Sequence, residues 1–120
     1  LDRERSYRAD SFILASGGLF GGGLQASPGK VSENIFNLPV HVPAQTDKWS
    51  NESLFFTPGQ PFAKYGVMVN ETLRPVDMNG NVLLENALIA GKTLAGYDYC
   101  FEKSGNRVAL ATAYRAGLET

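Results

Sequence analysis

The stretch Ser11–Gly18 (SFILASGG) decides the fold, together with a second stretch of the same kind, Asn86–Gly91 (NALIAG). Each is an apolar run of strand length that stops at residues with little or no side chain. Ligands such as nucleotides and flavins approach a backbone closely only where no Cβ blocks them. The two stretches therefore predict a pair of strands whose carboxyl ends are open to a ligand.

The glycine pattern predicts only part of a nucleotide-binding fold. The chain holds no G-x-G-x-x-G motif that opens a βαβ unit, which is the fingerprint of a complete dinucleotide-binding domain. We therefore expect the C-terminal part of an FAD/NAD(P)-binding-like fold, in the α/β or α+β class, incomplete without its N-terminal half. Several strands and one C-terminal helix make up this fold, because only the last segment has a helical period.

Local patterns predict the order of the elements. The apolar run Phe12–Ala15 predicts a strand that is buried on both faces. Ser104–Asn106 can cap the C-terminal helix, which has a face of small residues suited to close packing on a sheet. Strands are expected at residues 5–10 (an edge strand), 12–15, 35–42, 65–69 and 82–84, and turns at residues 25–34 and 77–80.

Composition limits the classes of function. At 120 residues, with 43% hydrophobic and 19% charged residues, the chain is expected to be a single folded domain. A net charge of −1 without runs of like charge argues against binding to nucleic acid or to an anionic membrane surface.

Cysteine, histidine and long apolar runs are scarce. The single cysteine (Cys100) and single histidine (His41) exclude a disulfide within the chain and a zinc site built on these ligands, so no metal is expected. No run approaches the ~20 apolar residues of a transmembrane segment. A reducing, cytoplasmic compartment fits this composition.

The segment Asn86–Gly117 is the strongest candidate site, because a strand, a loop and a helix start follow one another there. A helix N-terminus presents unpaired N–H groups and a partial positive charge, which suit a flavin carbonyl or a phosphate. Gly105 and Asn106 lie where such a ligand would touch the backbone, and Arg107 adds charge. The alternative is an ordinary strand–loop–helix unit with a capped helix.

Two further features are candidates on weaker grounds. Gly17–Gly23 holds five glycines in seven residues, which suits a phosphate cradle or, equally, a flexible linker between two sub-domains. Arg74 precedes a proline that stiffens its backbone, and a guanidinium binds phosphate or carboxylate well. Most single arginines, however, are surface charges.

Three blocks in a fixed order carry a family resemblance. They are Phe12–Leu24 (FILASGGLFGGGL), Tyr65–Pro75 (YGVMVNETLRP) and Glu85–Asp98 (ENALIAGKTLAGYD). This set resembles the C-terminal part of the B subunits of anaerobic glycerol-3-phosphate dehydrogenases, and the resemblance covers most of the chain. One glycine-rich block alone would be weak evidence, whereas the ordered set is specific.

The resemblance implies a flavoprotein subunit of a respiratory complex, with FMN or FAD as its cofactor. It implies a catalytic A subunit and a membrane-attached iron–sulfur C subunit as partners. The substrate would be sn-glycerol 3-phosphate, oxidised to dihydroxyacetone phosphate with electrons passed toward quinone. The protein would be cytoplasmic and peripheral to the inner face of the cell membrane through its complex.

Site residues follow from the resemblance position by position. Ala15–Gly17 resembles a strand end that such enzymes place near the dinucleotide. Ala90–Gly91 resembles a late flavin motif in which an acid usually comes next, and Lys92 replaces that acid. Gly105–Asn106 matches a helix start that faces the flavin ring. The implied cofactor-binding residues are Ser16, Gly17, Gly18, Gly91, Lys92, Gly105, Asn106 and Arg107, with Arg74 as a substrate contact and no catalytic residue assigned.

The resemblance also divides the chain into two portions. Residues 1–24 and 82–120 would form a flavin-domain-like portion, and residues 25–81 a substrate-side portion. The chain starts in a charged segment without an initiator methionine, so we expect it to be a fragment that is inactive alone. Strand edges exposed in such a fragment could pair two copies in a dimer without a biological role.

Two other functions stay open. The first is a non-catalytic docking module without bound flavin, favoured by Lys92 and by the aromatic residues Trp49, Phe55 and Phe56, which have no assigned role. The second is a flavoenzyme of the same broad fold that acts on another substrate, such as a dicarboxylate or a ketosteroid.

Overall fold

Two small sheets and one long helix form the regular structure of the chain. The computed structural model describes residues 4–53, 59–99 and 102–120. Its strands are β1 (Phe12–Leu14), β2 (Leu24–Ser27), β3 (Lys30–Glu33) and β4 (Ala87–Ile89), and its helix is α1 (Gly105–Glu119). Short 3-10 helices lie at Thr46–Lys48, Pro61–Lys64 and Gly91–Thr93. Cys100 and the aromatic residues Phe55 and Phe56 lie outside the described residues.

The two glycine-terminated strands of the sequence, β1 and β4, pair in parallel. Phe12 lies opposite Ala87, and Leu14 lies opposite Ile89. Every residue of β4 is buried, as its continuously apolar sequence predicts. The prediction that β1 is buried on both faces is wrong, because α1 packs on β4 and Ile13, in the middle of β1, is 45% exposed.

β2 and β3 form an antiparallel hairpin in a segment where the sequence predicts only turns. The turn is present, because Gly29 has a φ of 73° between the paired residues Ser27 and Lys30. Leu24 and Val31 are the buried apolar residues of the hairpin, and most of its other side chains are exposed. With only two buried apolar residues, the hairpin has no alternating pattern from which its strands could be predicted.

The predictions of the remaining strands are wrong, because these segments form no continuous strand. Residues 5–10 are exposed and form no strand in the described chain. Residues 35–42, 65–69 and 82–84 contribute isolated bridges only, such as the one between Val40 and Val67. Asn37 adopts a φ of 54° and Pro39 has no N–H to donate, so no regular ladder forms through residues 35–42.

The hydrophobic core draws residues from both portions of the chain. Its buried members are Leu14, Leu24, Val31, Leu38, Val40, Val67, Ile89 and Leu94. Both the predicted helix, α1, and the turn at residues 77–80 are confirmed. Ser104 precedes α1, but its hydroxyl does not cap the helix and instead donates to Glu102 Oε2 at 3.2 Å. The division into flavin-side and substrate-side portions stays a prediction.

Candidate cofactor-binding site

Two loops meet at the carboxyl edge of the parallel sheet, because parallel neighbours end at the same edge. The loop after β1 carries Gly17 and Gly18, and the 3-10 turn after β4 carries Gly91, Lys92 and Thr93. The Thr93 hydroxyl donates to the Gly17 carbonyl oxygen at 3.1 Å. A Cβ on Gly18 would lie 3.0 Å from the Lys92 carbonyl oxygen, so a side chain there would push the two loops apart.

The start of α1 packs on the same 3-10 turn. The Gly91 N–H donates to the Thr112 hydroxyl on α1 at 2.9 Å. A Cβ on Gly105 would lie 3.5 Å from Lys92 Cε and 3.4 Å from Tyr99 Cβ. The loop after β1 and the start of α1 therefore both lie against the turn that carries Lys92.

The first turn of α1 offers unpaired donors to this cluster. The first backbone hydrogen bond of the helix runs from the Val108 N–H to the Ser104 carbonyl oxygen at 2.9 Å. The N–H groups of Gly105, Asn106 and Arg107 precede that bond and have no partner within the helix. A helix start of this kind carries a partial charge of roughly +0.5 and suits an anion.

Lys92 supplies positive charge at the centre of the cluster. Its Nζ lies 4.8 Å from the centroid of the Tyr99 ring, in a cation–π contact. The Tyr97 ring stands edge-on to Tyr99, with ring centroids 6.3 Å apart. Burial raises the pKa of Tyr97, and the neighbouring Tyr99 and Glu102 raise it further, so this phenol stays neutral near pH 7.

The glycine loop, defined as Gly17–Gly23, is packed tightly at its two ends. Ser16 lies just before it, and the Ser16 hydroxyl is buried without a hydrogen-bond partner in the part of the chain that the structure describes. A Cβ on Gly23 would overlap the Gly17 carbonyl oxygen and lie 2.6 Å from Ser16 Oγ. Glycine is therefore required at position 23 for the loop to close on itself.

Side chains that the sequence patterns did not single out hold this loop. Asn34, just after β3, donates from Nδ2 to the Gly22 carbonyl oxygen at 2.7 Å. The Glu33 carboxylate is 1% exposed and accepts the Phe36 N–H at 2.8 Å. A buried acid on a short polar strand leaves no periodic signal, and Thr93 is one hydroxyl among many, so the sequence could not reveal these roles.

The predicted site residues fall into two groups. The structure brings Gly17, Gly18, Gly91, Lys92 and Gly105 together, with Ser16 at the base of the glycine loop and Asn106 and Arg107 on the start of α1. Their contact with a cofactor stays a prediction.

Arg74 lies away from this cluster. Its Nε donates to the Glu85 carbonyl oxygen at 2.8 Å, next to the amino end of β4. Its guanidinium also lies 3.8 Å from a carboxylate oxygen of Glu119. These contacts tie the start of β4 to the end of α1, and a substrate contact by Arg74 stays a prediction.

Two kinds of feature are absent from the described chain. Within residues 4–53, 59–99 and 102–120, no cluster of His, Cys, Asp and Glu has the arrangement of a metal site. The same residues contain no helix with the length and apolar character needed to cross a bilayer.

Known proteins similar to this chain define its class. The FAD binding domain family matches residues 1–108, and the chain belongs to this family. Among its relatives is the B subunit of the anaerobic glycerol-3-phosphate dehydrogenase of Vibrio vulnificus (strain YJ016), 40% identical over 108 residues, which cover 90% of this chain and 24% of that protein. The FAD-binding fold and the resemblance to these B subunits are thereby confirmed.

Other relatives carry related names. The B subunit of a probable anaerobic glycerol-3-phosphate dehydrogenase of Halobacterium salinarum (strain ATCC 29341 / DSM 671 / R1) is 37% identical over 109 residues, 91% of this chain and 25% of that protein. The corresponding B subunit of Yersinia pseudotuberculosis serotype I (strain IP32953) is 39% identical over 107 residues, 88% of this chain and 24% of that protein. The chain thus spans about a quarter of the length of these curated relatives. No solved structure matches it.

The residues of the cluster fit a flavin cofactor. Gly18 lets the loop after β1 pack against the Lys92 backbone, and Gly105 lets the start of α1 lie against the Lys92 side chain, so the loop and the helix start are brought together. The N–H groups at the start of α1 can donate to carbonyl or phosphate oxygens. The Lys92 ammonium complements a negative phosphate.

Proposed function

We propose that the chain is part of the flavoprotein B subunit of an anaerobic glycerol-3-phosphate dehydrogenase, which oxidises sn-glycerol 3-phosphate to dihydroxyacetone phosphate. The observation that carries this proposal is the meeting of Gly18, Lys92 and Gly105 at the carboxyl edge of a parallel sheet, in a chain that belongs to the FAD-binding domains. The names of relatives that match about nine-tenths of the chain support the choice of substrate.

The cluster residues have distinct roles in this proposal. Bound flavin would supply the hydride-accepting chemistry, and the protein would bind and orient it. Gly18 and Gly105 would let the loop after β1 and the start of α1 close around Lys92. The N–H groups of Asn106 and Arg107 would donate to the cofactor's oxygens, and Lys92 would balance its negative charge. The FAD binding family match favours FAD over FMN.

The proposal extends to the assembly. The relatives are named as B subunits, which supports a complex with further subunits. We propose a catalytic A subunit and a membrane-attached iron–sulfur C subunit as these partners, at the inner face of the cell membrane, with electrons passed to quinone. Residues 25–81 would form the substrate side of the B subunit, and the 120 residues alone would be inactive.

A docking role without flavin is the second candidate, and one face of α1 favours it. Leu110, Tyr114 and Leu118 follow one another at helical spacing and are 75%, 71% and 67% exposed. Ala116, on the opposite side, is completely buried. A helix that is apolar on both sides is normally covered on both sides, so this face suits contact with another protein surface.

The deciding experiment measures flavin in the complete polypeptide that carries these residues. We expect a stoichiometric flavin absorption band, with the released cofactor identified as FAD or FMN by chromatography. Gly105→Val would place a branched side chain against Lys92 and Tyr99, and should remove most of the flavin. Gly117→Val is the matched control, because position 117 on the same helix faces open space.

The two candidate functions give different results. A folded, colourless polypeptide that still assembles with its partner subunits would refute the redox role and support the docking role. Reduction of the bound flavin by sn-glycerol 3-phosphate, and not by glycerol, would support the proposed substrate.

A further inference from the structure

A surface cavity of about 370 Å³ lies in residues 43–65, and none of the described residues that line it belongs to the candidate cofactor-binding site. The short 3-10 helices Thr46–Lys48 and Pro61–Lys64 bring Lys48 and Lys64 to this cavity. Sites for small molecules in proteins begin near about 300 Å³, so the cavity is large enough for a small ligand.

Hydrogen bonds within the segment hold the walls of the cavity together. The Phe62 N–H donates to the Trp49 carbonyl oxygen at 2.9 Å, which places the two short helices side by side. The Asn51 N–H donates to Gln60 Oε1 at 2.7 Å, and Asn51 Nδ2 donates to the Gly59 carbonyl oxygen at 3.0 Å. The walls are therefore bonded to each other by the chain itself.

The charge that lines the cavity is positive. Lys48 and Lys64 are the charged residues among the described residues that line it. Asp47 and Glu52, the acids of the same segment, do not line it, and residues 54–58 have no charged side chain in the sequence. Within the described chain, no ion pair joins either lysine to a carboxylate. Both ammonium groups are thus available to an anionic ligand.

Arg74, the substrate contact that the family resemblance implies, differs from these lysines. Its Nε donates to the Glu85 carbonyl oxygen at 2.8 Å, and its guanidinium lies 3.8 Å from a carboxylate oxygen of Glu119. Arg74 does not line the cavity. Its charge is balanced within the chain, whereas the charges of the two lysines are not.

Hydrogen bonds join the cavity segment to the turn after β4. The Gly96 N–H donates to the Lys64 carbonyl oxygen at 3.0 Å. The Val67 N–H donates to the Thr93 carbonyl oxygen at 2.8 Å, in the turn that also carries Lys92. The backbone at Lys64 is therefore fixed relative to one loop of the candidate cofactor-binding site.

The glycine loop contacts the same segment. Its Phe20 ring packs edge-on against the Phe62 ring, with ring centroids 5.6 Å apart. Phe62 lies in the short helix that also carries Lys64. Both loops of the candidate cofactor-binding site thus contact the segment that forms the cavity, which suits a substrate site beside a cofactor.

We propose that Lys48 and Lys64 bind the phosphate group of a small phosphomonoester in this cavity. A phosphomonoester carries about two negative charges near neutral pH, because its second pKa is about 6, and two ammonium groups balance them. Lysine binds phosphate as a point charge. The identity of the ligand as sn-glycerol 3-phosphate rests on the proposed function, whereas the anion site rests on the cavity and its two lysines.

Calorimetric titration of the complete polypeptide with sn-glycerol 3-phosphate, and separately with inorganic phosphate, tests the site. Lys48→Gln and Lys64→Gln each remove one charge. Each should raise both dissociation constants about tenfold, the usual order for one charge-assisted hydrogen bond. Lys64→Arg keeps the charge and should keep most of the affinity.

Lys30→Gln is the matched control for the loss of one charge. Lys30 is exposed in the β2–β3 hairpin and does not line the cavity, so both dissociation constants should stay at the values of the unmodified protein. Lys92→Gln locates the bound phosphate. Phosphate binding that is lost in Lys92→Gln and kept in Lys64→Gln would place the anion in the candidate cofactor-binding site and overturn the inference.

Kinetics of the complete enzyme give a second readout. In Lys64→Gln, the KM for sn-glycerol 3-phosphate should rise about tenfold while kcat changes much less, because the phosphate contact is the same before and during the reaction. The flavin absorption band should keep the intensity of the unmodified enzyme. A loss of flavin in parallel with the rise in KM would indicate a structural role and overturn the inference.

The remaining outcomes separate this inference from the proposed function. Unchanged dissociation constants in either Lys48→Gln or Lys64→Gln would overturn the inference, as would the absence of binding to the unmodified protein. Tighter binding of succinate, a dicarboxylate, than of sn-glycerol 3-phosphate would also overturn it. If phosphate binds through the two lysines but the polypeptide carries no flavin, the proposed function fails and the anion site stands.

Discussion

Gly66 lies where the middle of the chain packs on the segment after β4, and we expect Gly66→Ala to be strongly destabilising. A Cβ at this position would overlap the Leu94 carbonyl carbon, and would lie 2.5 Å from the Leu94 oxygen and 2.6 Å from the Ala95 nitrogen. Comfortable contact begins near 3.4 Å. Because both neighbours are backbone atoms in a close-packed interior, one segment has to move by about 1 Å.

The magnitude follows from the hydrogen bonds that cross this contact. The Val67 N–H donates to the Thr93 oxygen at 2.8 Å, and the Ala95 N–H donates back to the Val67 oxygen at 3.1 Å. A third bond joins the Gly96 N–H to the Lys64 oxygen at 3.0 Å. Losing about 1 kcal/mol for each bond and about 1–3 kcal/mol from overpacking gives about 4–6 kcal/mol, a large share of the 5–15 kcal/mol that typically stabilises a domain.

Denaturant titration of the complete polypeptide measures this loss as a change in the free energy of unfolding. Hydrogen exchange at the Val67 and Ala95 amides reports the same contact locally. Gly117→Ala is the control, because its Cβ meets open space and alanine favours a helix over glycine by about 0.8–1 kcal/mol. A Gly66→Ala protein with unfolding free energy within about 0.5 kcal/mol of the unmodified protein, near the size of a neutral surface change, would refute the reasoning.

Three further predictions concern single side chains. Glu33→Gln should destabilise the protein by about 2–4 kcal/mol, because the buried carboxylate loses charged hydrogen bonds such as that from the Phe36 N–H, and denaturant titration measures this. A hydrogen bond from the Asn81 side chain holds the pKa of Asp77 below its usual value. The stability that the ionised Asp77 carboxylate contributes is therefore present above about pH 3.9, and it is lost as the pH falls through the lowered pKa. An NMR titration should find the Asp77 midpoint below about 3.9 and closer to that value in Asn81→Ala. Burial raises the pKa of Tyr97, so the stability that the neutral phenol contributes is present below about pH 10 and is lost as the pH rises through the raised pKa. In a profile of unfolding free energy against pH, Tyr97→Phe should remove the part of the stability loss at alkaline pH that comes from this phenol.

β1 and β4 could be predicted as strands because each carries its whole signal locally, whereas their parallel pairing with each other comes only from the structure. β4 is apolar at every position and ends at Gly91, and β1 is apolar up to the small residues that precede the glycine loop. Once two such strands lie side by side in parallel, their following loops must share one edge. The meeting of Gly18 with Lys92 is a consequence of that geometry.

The side chains that hold the site could not be predicted because their partners are distant in sequence. Thr93 binds the Gly17 carbonyl group across 76 residues, and Asn34 reaches Gly22 across 12 residues. A single polar residue has no period, so only the folded chain reveals its partner. The prediction of a strand at residues 35–42 was wrong for a different reason. The loose alternation of apolar residues predicts a strand, but the positive φ of Asn37 interrupts its ladder of hydrogen bonds.

The contact between α1 and the turn after β4 also limits which sequences can fill one helix position. The Thr112 oxygen accepts the Gly91 N–H at 2.9 Å and donates its own hydrogen to the Val108 carbonyl oxygen at 2.6 Å, so both functions of one hydroxyl are used. Hydrogen bonds linked in this way polarise one another. In a saturation library at position 112, serine should therefore survive selection for folding, whereas valine, which has the same shape as threonine but no hydroxyl, should be depleted.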